Sequence, residues 1–352
     1  MGFVGTAEPC ALPGPRLEQR RPQSTGTEPH LNQILMMSTP NGPTRLVWRD
    51  GELIDWRDAT IHVMSHVAHY GSCVFEGIRC YETPDGPAIF RLHDHMRRLA
   101  DSARIYRIAF RHRVEDLCEA ALEVIAANEV RHCYLRPLVA RTGEQMGIMA
   151  DDAFVETFIV AWIWGTYLGE GALENGVDAC ISSWRRSAPD TFPSLGKAGG
   201  AYLNSQLAKM EARDRGFAEA IMLDTTGNVA EGTGQNLFVV RDGVLFTPPL
   251  SANILAGITR DCVIRIAGDL GYTVREENLP REFLYVADEA FFTGTAAELT
   301  PLRSVDRIPV GPGRRGPVTE EIQSRFLGIA RGELPDPYGW LTYVPTHASA
   351  AA

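Results

Sequence analysis

The sequence predicts a mixed α/β (α+β) protein in two portions, with a ligand cleft between them. Three observations indicate this fold class: strand-like and helix-like patterns alternate along the chain, Asp-Gly pairs mark several hairpins, and a glycine-rich stretch divides the chain. A length of 352 residues with 45% hydrophobic composition is enough for two or three domains with sizeable cores. Because clefts between domains often bind small ligands, we expect the functional site at this boundary.

Residues 43–164 are predicted to form the smaller α/β domain. Asp50-Gly51 and Asp85-Gly86 each separate two strand-like segments, which indicates two hairpins. Apolar residues at helical spacing then predict two helices. The predicted strands are 45–48, 53–56, 73–81, 88–91, 131–140 and 154–164, and the predicted helices are 93–106 and 114–128.

Residues 165–176 contain four glycines and are predicted to link the first domain to a larger one at 177–345. Asp242-Gly243 marks a hairpin in this larger domain. Its predicted strands are 178–184, 220–224, 236–240, 244–246 and one that ends at Phe292, and its predicted helices are 201–215, 259–271 and 319–331. The two ends, 1–42 and 346–352, are expected to be a disordered extension and a loose tail.

The composition argues against several classes of protein. The longest apolar run, Phe158 to Trp164, has seven residues and is too short for a transmembrane helix. The net charge of −10 argues against a nucleic-acid binder held by phosphate contacts. Seven cysteines without a C-x-x-C pair make a disulfide framework or a four-thiolate zinc site unexpected. Since no secretory signal precedes the first domain, we expect a cytoplasmic protein.

Three histidines offer a competing interpretation as a metal site. His62, His66 and His69 are spaced by four and three residues, which would place them on one face of a helix. Interleaved β-branched residues weaken the prediction of a helix there. The run also lacks an acidic residue to orient a ligand. We therefore predict no metal site.

Lysine is scarce in this chain. Of 34 basic residues, 32 are arginine, and the only lysines are Lys197 and Lys209. Lysine can lose its proton and form an imine, which arginine does not do near neutral pH. Lys197 lies in Ser-Leu-Gly-Lys-Ala-Gly-Gly, where three glycines permit close approach of other atoms. Lys209 lies among charged residues at helical spacing and is interpreted as a solvated charge.

An imine-forming lysine suggests pyridoxal phosphate, which needs three further groups. Glu231, between a loop and an apolar strand, is the candidate carboxylate for the pyridine nitrogen. Backbone N–H groups at Gly257-Ile258-Thr259, where a helix opens, or at Gly294-Thr295 could bind a phosphate. Arg98 is the candidate cation. Each of these short motifs is also compatible with an ordinary cap, turn or surface charge.

Longer motifs identify a family. They include Val-Phe-Glu-Gly-Ile-Arg-Cys-Tyr at 74–81, Tyr-Leu-Arg-Pro at 134–137, Trp-Gly-Thr-Tyr-Leu-Gly at 164–169, Lys-Ala-Gly-Gly at 197–200 and Gly-Ile-Thr-Arg-Asp at 257–261. From about residue 47 to residue 343 the chain resembles the bacterial branched-chain amino-acid aminotransferases. These belong to the fold-type IV pyridoxal-phosphate enzymes, a two-domain architecture with an interdomain cleft. The resemblance implies a pyridoxal 5'-phosphate cofactor bound chiefly by the larger domain.

The resemblance also implies roles for individual residues. Lys197 would be the catalytic lysine that forms the imine, and Glu231 the partner of the pyridine nitrogen. The phosphate would be bound by Arg98, Ile258, Thr259 and Thr295, and Tyr202 would lie beside the ring. An apolar substrate pocket would comprise Phe75, Trp164, Tyr167 and Tyr202. The remaining substrate-binding residues would be Tyr70, Arg79, Tyr134, Arg136, Thr295 and Ala296.

The resemblance further implies how the carboxylates of the substrate are bound and which residues a second subunit contributes. Arg136 would receive the distal carboxylate of glutamate, whereas Tyr134 and the N–H groups of Thr295 and Ala296 would meet the α-carboxylate. Tyr70 and the turn at 146–148 would reach across from a second subunit of a homodimer or higher oligomer.

The implied reaction is ping-pong transamination between leucine, isoleucine or valine and 2-oxoglutarate, which gives branched 2-oxo acids and glutamate. A D-amino-acid transaminase, an aminodeoxychorismate lyase of the same fold, or a catalytically silent cofactor-binding protein are the alternatives. Gln235 stands where similar aminotransferases can have glutamate, and it is four residues beyond Glu231. The ranking of the three amino acids, and a biosynthetic or catabolic role, stay open.

Overall fold

Two β-sheets of nine strands each form the framework of the part of the chain that the structure describes. The computed structural model describes residues 42–150, 153–165, 168–169 and 171–345. These residues lie in one compact unit. Helices and strands are interleaved along the chain, so the predicted mixed α/β class is confirmed. The predicted extension at 1–42 and the predicted tail at 346–352 lie outside the described residues, except for Gly42, which begins a strand. The predicted domain boundaries stay a prediction.

The elements are numbered in chain order. The strands are β1 (Gly42–Pro43), β2 (Leu46–Arg49), β3 (Glu52–Asp55), β4 (Cys73–Phe75), β5 (Ile78–Thr83), β6 (Gly86–Phe90), β7 (Cys133–Arg141), β8 (Val155–Ile163), β9 (Val177–Ile181), β10 (Glu219–Leu223), β11 (Val229–Gly232), β12 (Asn236–Arg241), β13 (Val244–Thr247), β14 (Thr273–Glu276), β15 (Glu289–Gly294), β16 (Glu298–Val305), β17 (Ile308–Pro309) and β18 (Leu341–Tyr343). The α-helices are α1 (His66–Tyr70), α2 (Leu92–Ile105), α3 (Val114–Ala127), α4 (Ala172–Asn175), α5 (Tyr202–Asp214), α6 (Ile258–Asp269) and α7 (Pro317–Ala330).

The first sheet has the order β18-β6-β5-β7-β8-β2-β3, with β1 beside β8 and β4 beside β7. The hairpin predicted at Asp50-Gly51 is confirmed, since both residues have positive φ and β2 pairs with β3. The predicted strand 73–81 is wrong in one respect, because it breaks at Glu76-Gly77. Glu76 donates its N–H to the Pro137 carbonyl, but Pro137 has no N–H to return. The break aims Glu76 into the core.

The second sheet has the order β11-β10-β9-β16-β15-β12-β13-β14, with β17 beside β16. The predicted hairpin at Asp242-Gly243 joins β12 to β13, with φ of 50° and 74° at its two residues. Sequence patterns missed β11, β14, β16 and β17. The first two have only four residues each, and β16 contains Pro301. The predicted strand 178–184 ends early, at Ile181.

Helices cover both sheets. Leu92, Met96 and Leu99 of α2 pack with α3 and the first sheet in a common buried cluster. A similar cluster joins α6 and α7 to Phe238 and Phe291 of the second sheet. The five predicted long helices are confirmed, with ends that differ by at most two residues. Within the residues that the structure covers, none of the helices combines the length and apolarity needed to cross a bilayer.

The predicted weakness of the helix at 62–69 is wrong for its second half. Helix α1 begins at His66 after Ser65 and ends at Tyr70, and it is capped by Gly71, whose φ of 63° suits glycine. His62 lies outside the helix, and the His66 ring bonds to the Ser72 hydroxyl and the Gly147 carbonyl. In the described part of the chain, no three His, Cys, Asp or Glu side chains form a group that could hold a metal ion.

Candidate active site

One cavity collects most of the predicted site residues, although they are far apart in the chain. It is bordered by residues that both sheets and helices α2, α5 and α6 supply. The predicted residues that line it are Phe75, Arg98, Tyr134, Arg136, Trp164, Lys197, Tyr202, Glu231, Ile258, Thr259, Thr295 and Ala296. Tyr70 and Arg79 do not line it, and Tyr167 lies outside the described residues.

Lys197 is held at the cavity through its own backbone. Its N–H donates to the Ser102 hydroxyl on α2 at 3.0 Å, and its carbonyl accepts from the N–H of Phe75 at 3.0 Å. The side-chain Nζ lies 2.5 Å from the phenol oxygen of Tyr202 and 5.1 Å from the centre of the Phe75 ring. The amine is therefore presented to the cavity from a fixed backbone.

The glycines around Lys197 are required by close packing, as the sequence predicts. A Cβ atom on Gly196 would lie 2.5 Å from the ring of Tyr106, and one on Gly199 would lie 2.5 Å from the Cys73 sulfur. Both distances are shorter than any van der Waals contact, so a side chain at either position would displace the lysine segment.

Glu231 is buried at the cavity wall, at the end of β11. Its Oε2 accepts from the Asn236 side-chain amide and from the N–H of Leu255, each at 3.1 Å. Its Oε1 lies 3.0 Å from Nη2 of Arg186. Burial raises the pKa of Glu231 above its usual value, while Arg186, the Leu255 N–H and Lys197 oppose that rise. The carboxylate thus depends on these partners to stay ionised.

Arg98 reaches the cavity from α2 and is tied to a wholly buried carboxylate. Its Nε donates to Glu76 Oε1 at 2.6 Å, and its Nη1 donates to the Ala256 carbonyl at 2.8 Å. The other oxygen of Glu76 lies 2.7 Å from His95 Nδ1. Burial lowers the pKa of His95, even though Glu76 opposes this. Arg98 is therefore oriented before any ligand arrives.

A candidate anion site consists of Arg98 and two groups of backbone N–H donors at the same cavity. Helix α6 begins at Ile258, directly after Gly257, so its first N–H groups have no partner within the helix. Thr295 and Ala296 follow β15 in a turn at the same cavity. Arg79 donates to the carbonyl oxygens of both residues at 2.8 Å. Arg79 therefore binds the turn and does not line the cavity.

Another part of the cavity wall is aromatic. The rings of Tyr134 and Trp164 meet edge-on at 5.1 Å, and the Phe75 and Tyr202 rings are 4.9 Å apart. The guanidinium of Arg136 lies over Phe75 at 4.6 Å. Its buried Nε has no hydrogen-bond partner among the described residues. This wall offers apolar contact together with an unsatisfied cationic donor.

Comparison with known proteins assigns this architecture. A family model described as amino-transferase class IV matches residues 73–305. The branched-chain-amino-acid aminotransferase of Escherichia coli K12 is 52% identical over 299 residues, which are 85% of this chain and 97% of that protein. The chain belongs to the class IV aminotransferases, in their branched-chain amino-acid family. The Pseudomonas aeruginosa relative of the same description is 45% identical over 299 residues, again 85% of this chain and 97% of that protein.

Solved aminotransferase structures agree in fold. The crystal structure of the E. coli branched-chain amino acid aminotransferase has a TM-score of 0.83 at 51% identity, covering 86% of this chain and 100% of that one. The Thermobaculum terrenum branched-chain enzyme in its holo form with pyridoxal phosphate has a TM-score of 0.81 at 36% identity, covering 86% and 99%. The predicted resemblance, the fold-type IV architecture and the aminotransferase class are confirmed.

The cavity of this aminotransferase fits the pyridoxal-phosphate cofactor of its family. It combines a lysine amine, a buried carboxylate and an anion site in one space. Two polar atoms that border the cavity, Arg186 Nε and Thr293 Oγ1, are buried without a partner among the described residues. Unsatisfied buried donors at a cavity wall are expected where a polar ligand completes the site. The predicted cofactor is confirmed.

Sequence reasoning missed several residues that support the site. Glu76 lies in one of the family motifs and Asn236 begins the predicted strand 236–240, but neither received a role, and Arg186 was not singled out. A buried acid between two short strands is a usable signal for Glu76, because such a charge needs a partner. For Arg186 the sequence offers no comparable signal, since the residue lies in an irregular segment among other polar residues.

Proposed function

We propose that this aminotransferase moves the amino group of leucine, isoleucine or valine to 2-oxoglutarate, by a ping-pong mechanism in the cytoplasm. The observation that carries the proposal is the shared cavity, in which Lys197 and Glu231 face an aromatic wall with Arg136. Such a wall suits a branched side chain, whereas Arg136 suits the second carboxylate of glutamate. The same pocket can therefore serve both half-reactions.

We assign the roles of the cofactor-binding residues as follows. The bound cofactor supplies an electron sink for the substrate α-carbon. Lys197 would hold the cofactor and, once its amine is free, would accept the proton of the substrate α-carbon at Nζ. Glu231 would accept a hydrogen bond from the protonated pyridine nitrogen, and Tyr202 would orient the lysine amine. The phosphate would be bound by Arg98, Ile258, Thr259 and Thr295.

The substrate carboxylate would meet Tyr134 and the N–H groups of Thr295 and Ala296. Gly77 supports this role of Tyr134, because a Cβ there would lie 1.7 Å from the phenol oxygen. Phe75 and Trp164 would contact the branched side chain, with Tyr167 added from the sequence resemblance. Arg79 would act through the turn that it holds.

A homodimer is part of the proposal. Tyr70 is partly exposed and does not line the cavity of its own chain, but its phenol accepts from the N–H of Gly147 at 3.2 Å. Met146, Ile148 and Met149 beside it are strongly exposed apolar residues. A second copy would cover these residues and receive Tyr70 at its own cavity. A monomer in analytical ultracentrifugation would contradict this arrangement.

The function is tested by a substrate panel on purified protein loaded with pyridoxal 5'-phosphate. L-Leucine with 2-oxoglutarate should give glutamate, whereas D-alanine should give none above background. Activity with D-alanine and not L-leucine would favour a D-amino-acid transaminase. Pyruvate release from aminodeoxychorismate would favour the lyase, and no reaction with any donor would favour a silent binding protein.

Arg136→Ala should impair the glutamate half-reaction more than the leucine half-reaction. The variant loses the cation for the distal carboxylate, and a hydrogen-bonded charge pair typically accounts for about 10- to 100-fold in affinity. The leucine reaction should change by less than about fivefold. Single-turnover absorbance measurements with each amino acid check this, and equal losses would refute the role.

A further inference from the structure

A wholly buried carboxylate lies behind one wall of the cavity and takes no part in the proposed reaction. Glu219, the first residue of β10, has no exposed surface. It accepts hydrogen bonds from the N–H of Ala220 at 2.8 Å, the Thr233 hydroxyl at 2.7 Å and the Gln235 amide at 3.0 Å. Thr233 and Gln235 both line the cavity. Glu219 therefore fixes two wall residues from behind.

Lys209 balances the charge of this carboxylate. Its Nζ lies 2.7 Å from Glu219 Oε2 and donates to the Ala218 carbonyl at 2.6 Å. A buried carboxylate is strongly unfavourable unless a cation or several donors compensate it. The interpretation of Lys209 as a merely solvated charge is thus wrong, although about a third of its side chain is exposed (36%).

The wall segment, residues 233–235, lies between two groups that the proposed reaction uses. Glu231 precedes it by two residues. On its other side, a Cβ atom on Gly294 would lie 3.5 Å from the Gly234 carbonyl, and Gly294 directly precedes Thr295. A displacement of the wall segment would therefore disturb both the pyridine partner and the Thr295 turn.

We infer that Lys209 and Glu219 are a positioning pair, whose ion pair holds the wall segment and thereby sets the fit of cofactor and substrate. The inference builds on the proposed function. Gln235 suits this arrangement, because its amide donates to Glu219. Similar aminotransferases can have glutamate at position 235. A glutamate here would place a second carboxylate beside Oε2 of Glu219, where the Gln235 amide now donates. Lys209 would then be the cation beside two acids.

A double-mutant cycle tests the pair, with Lys209→Met, Glu219→Gln and their combination. The dissociation constant of pyridoxal 5'-phosphate from the apoenzyme is measured by absorbance titration, together with kcat and KM for L-leucine. Lys209→Met should weaken cofactor binding about tenfold, as contacting charged residues couple at this level. In the Glu219→Gln background the same change should cost less than about twofold, because no charge remains to be balanced.

Two controls accompany the cycle. Arg213→Met removes an exposed cation on the same helix, whose ion pair is with Asp214, and should leave cofactor binding unchanged. Lys209→Arg keeps the charge and should stay within about threefold of the wild type. Wild-type cofactor affinity and KM in Lys209→Met, or equal losses in both backgrounds, would overturn the inference.

A second variant covers the case in which Glu219→Gln does not fold. Gln235→Glu should weaken cofactor binding more in the Lys209→Met chain than in the wild type, and equal effects would overturn the inference. A wild-type protein that fails to bind pyridoxal 5'-phosphate at all would refute the proposed function instead, so the two failures are distinguishable.

Discussion

Lys197→Ala should abolish transamination, with a loss of at least about 10⁴-fold in kcat, since a positioned proton-transfer group alone contributes up to about that factor. The backbone of residue 197 is held by Ser102 and Phe75, and its side chain lies in the cavity against Tyr202. Removal of the side chain should therefore change the chemistry far more than the fold. Initial rates with L-leucine and 2-oxoglutarate measure the loss.

Borohydride reduction provides a readout that does not depend on turnover. After incubation with pyridoxal 5'-phosphate, reduction should attach the pyridoxyl group to Lys197 of the wild type, as peptide mass spectrometry would show. The alanine variant should carry no attachment at that position and no absorbance band of the bound aldehyde. Near-normal turnover of the variant, or exclusive attachment at Lys209, would contradict the assigned role.

Glu76→Gln should destabilise the protein by about 3–5 kcal/mol, the usual cost of removing one partner from a buried ion pair. The amide keeps the shape of the side chain but leaves the Arg98 guanidinium without its counter-charge. Arg98 would also lose the bidentate contact that orients it toward the anion site. Urea denaturation of the apoenzyme measures the first effect, and competition by inorganic phosphate for the cofactor site measures the second.

The same residue predicts a pH dependence of stability. Burial alone would raise the pKa of Glu76, but Arg98 and His95 more than offset burial and hold its pKa well below the usual range. In an unfolded chain the pKa of a glutamate is about 4.3. Stability from Glu76 is therefore complete above that pH and is lost as the pH falls below it toward the folded-state pKa.

Glu119→Gln is the matched control, because Glu119 is exposed on α3. It should change the unfolding free energy by less than about 0.5 kcal/mol. The Glu76→Gln variant should show a flatter decline of stability below about pH 4 than the wild type. Equal stability of the two variants would show that the Glu76–Arg98 pair contributes nothing.

The sequence was sufficient to locate the reactive lysine, because the types of residue at and around that position indicate its chemistry. Lysine scarcity and the surrounding glycines pointed to Lys197, and the structure shows the packing that those glycines permit. The supporting charges were harder to find, because their partners are distant in sequence: Glu76 and Arg98 are 22 residues apart and belong to different elements. Lys209 is a second example. The residues around it indicate a charged helix face, but they do not indicate that its amine pairs with the buried carboxylate of Glu219.

Strand assignment failed for physical reasons of a different kind. Short strands such as β11 carry too few residues to show an alternating pattern, and their pairing is set by neighbours elsewhere in the chain. The break between β4 and β5 depends on Pro137 of the adjacent strand, which no local pattern around residue 76 reveals. The assigned residue roles stay predictions that the variants above address, and the domain limits stay predictions from the sequence.

Both lysine ammonium groups are engaged in the folded protein, one with a phenol and the other with a buried acid. Acylating reagents used near neutrality should therefore react slowly at both side chains, because each amine must first leave its partner. Acylation at Lys209 would thus report how often that residue separates from Glu219 in the folded protein.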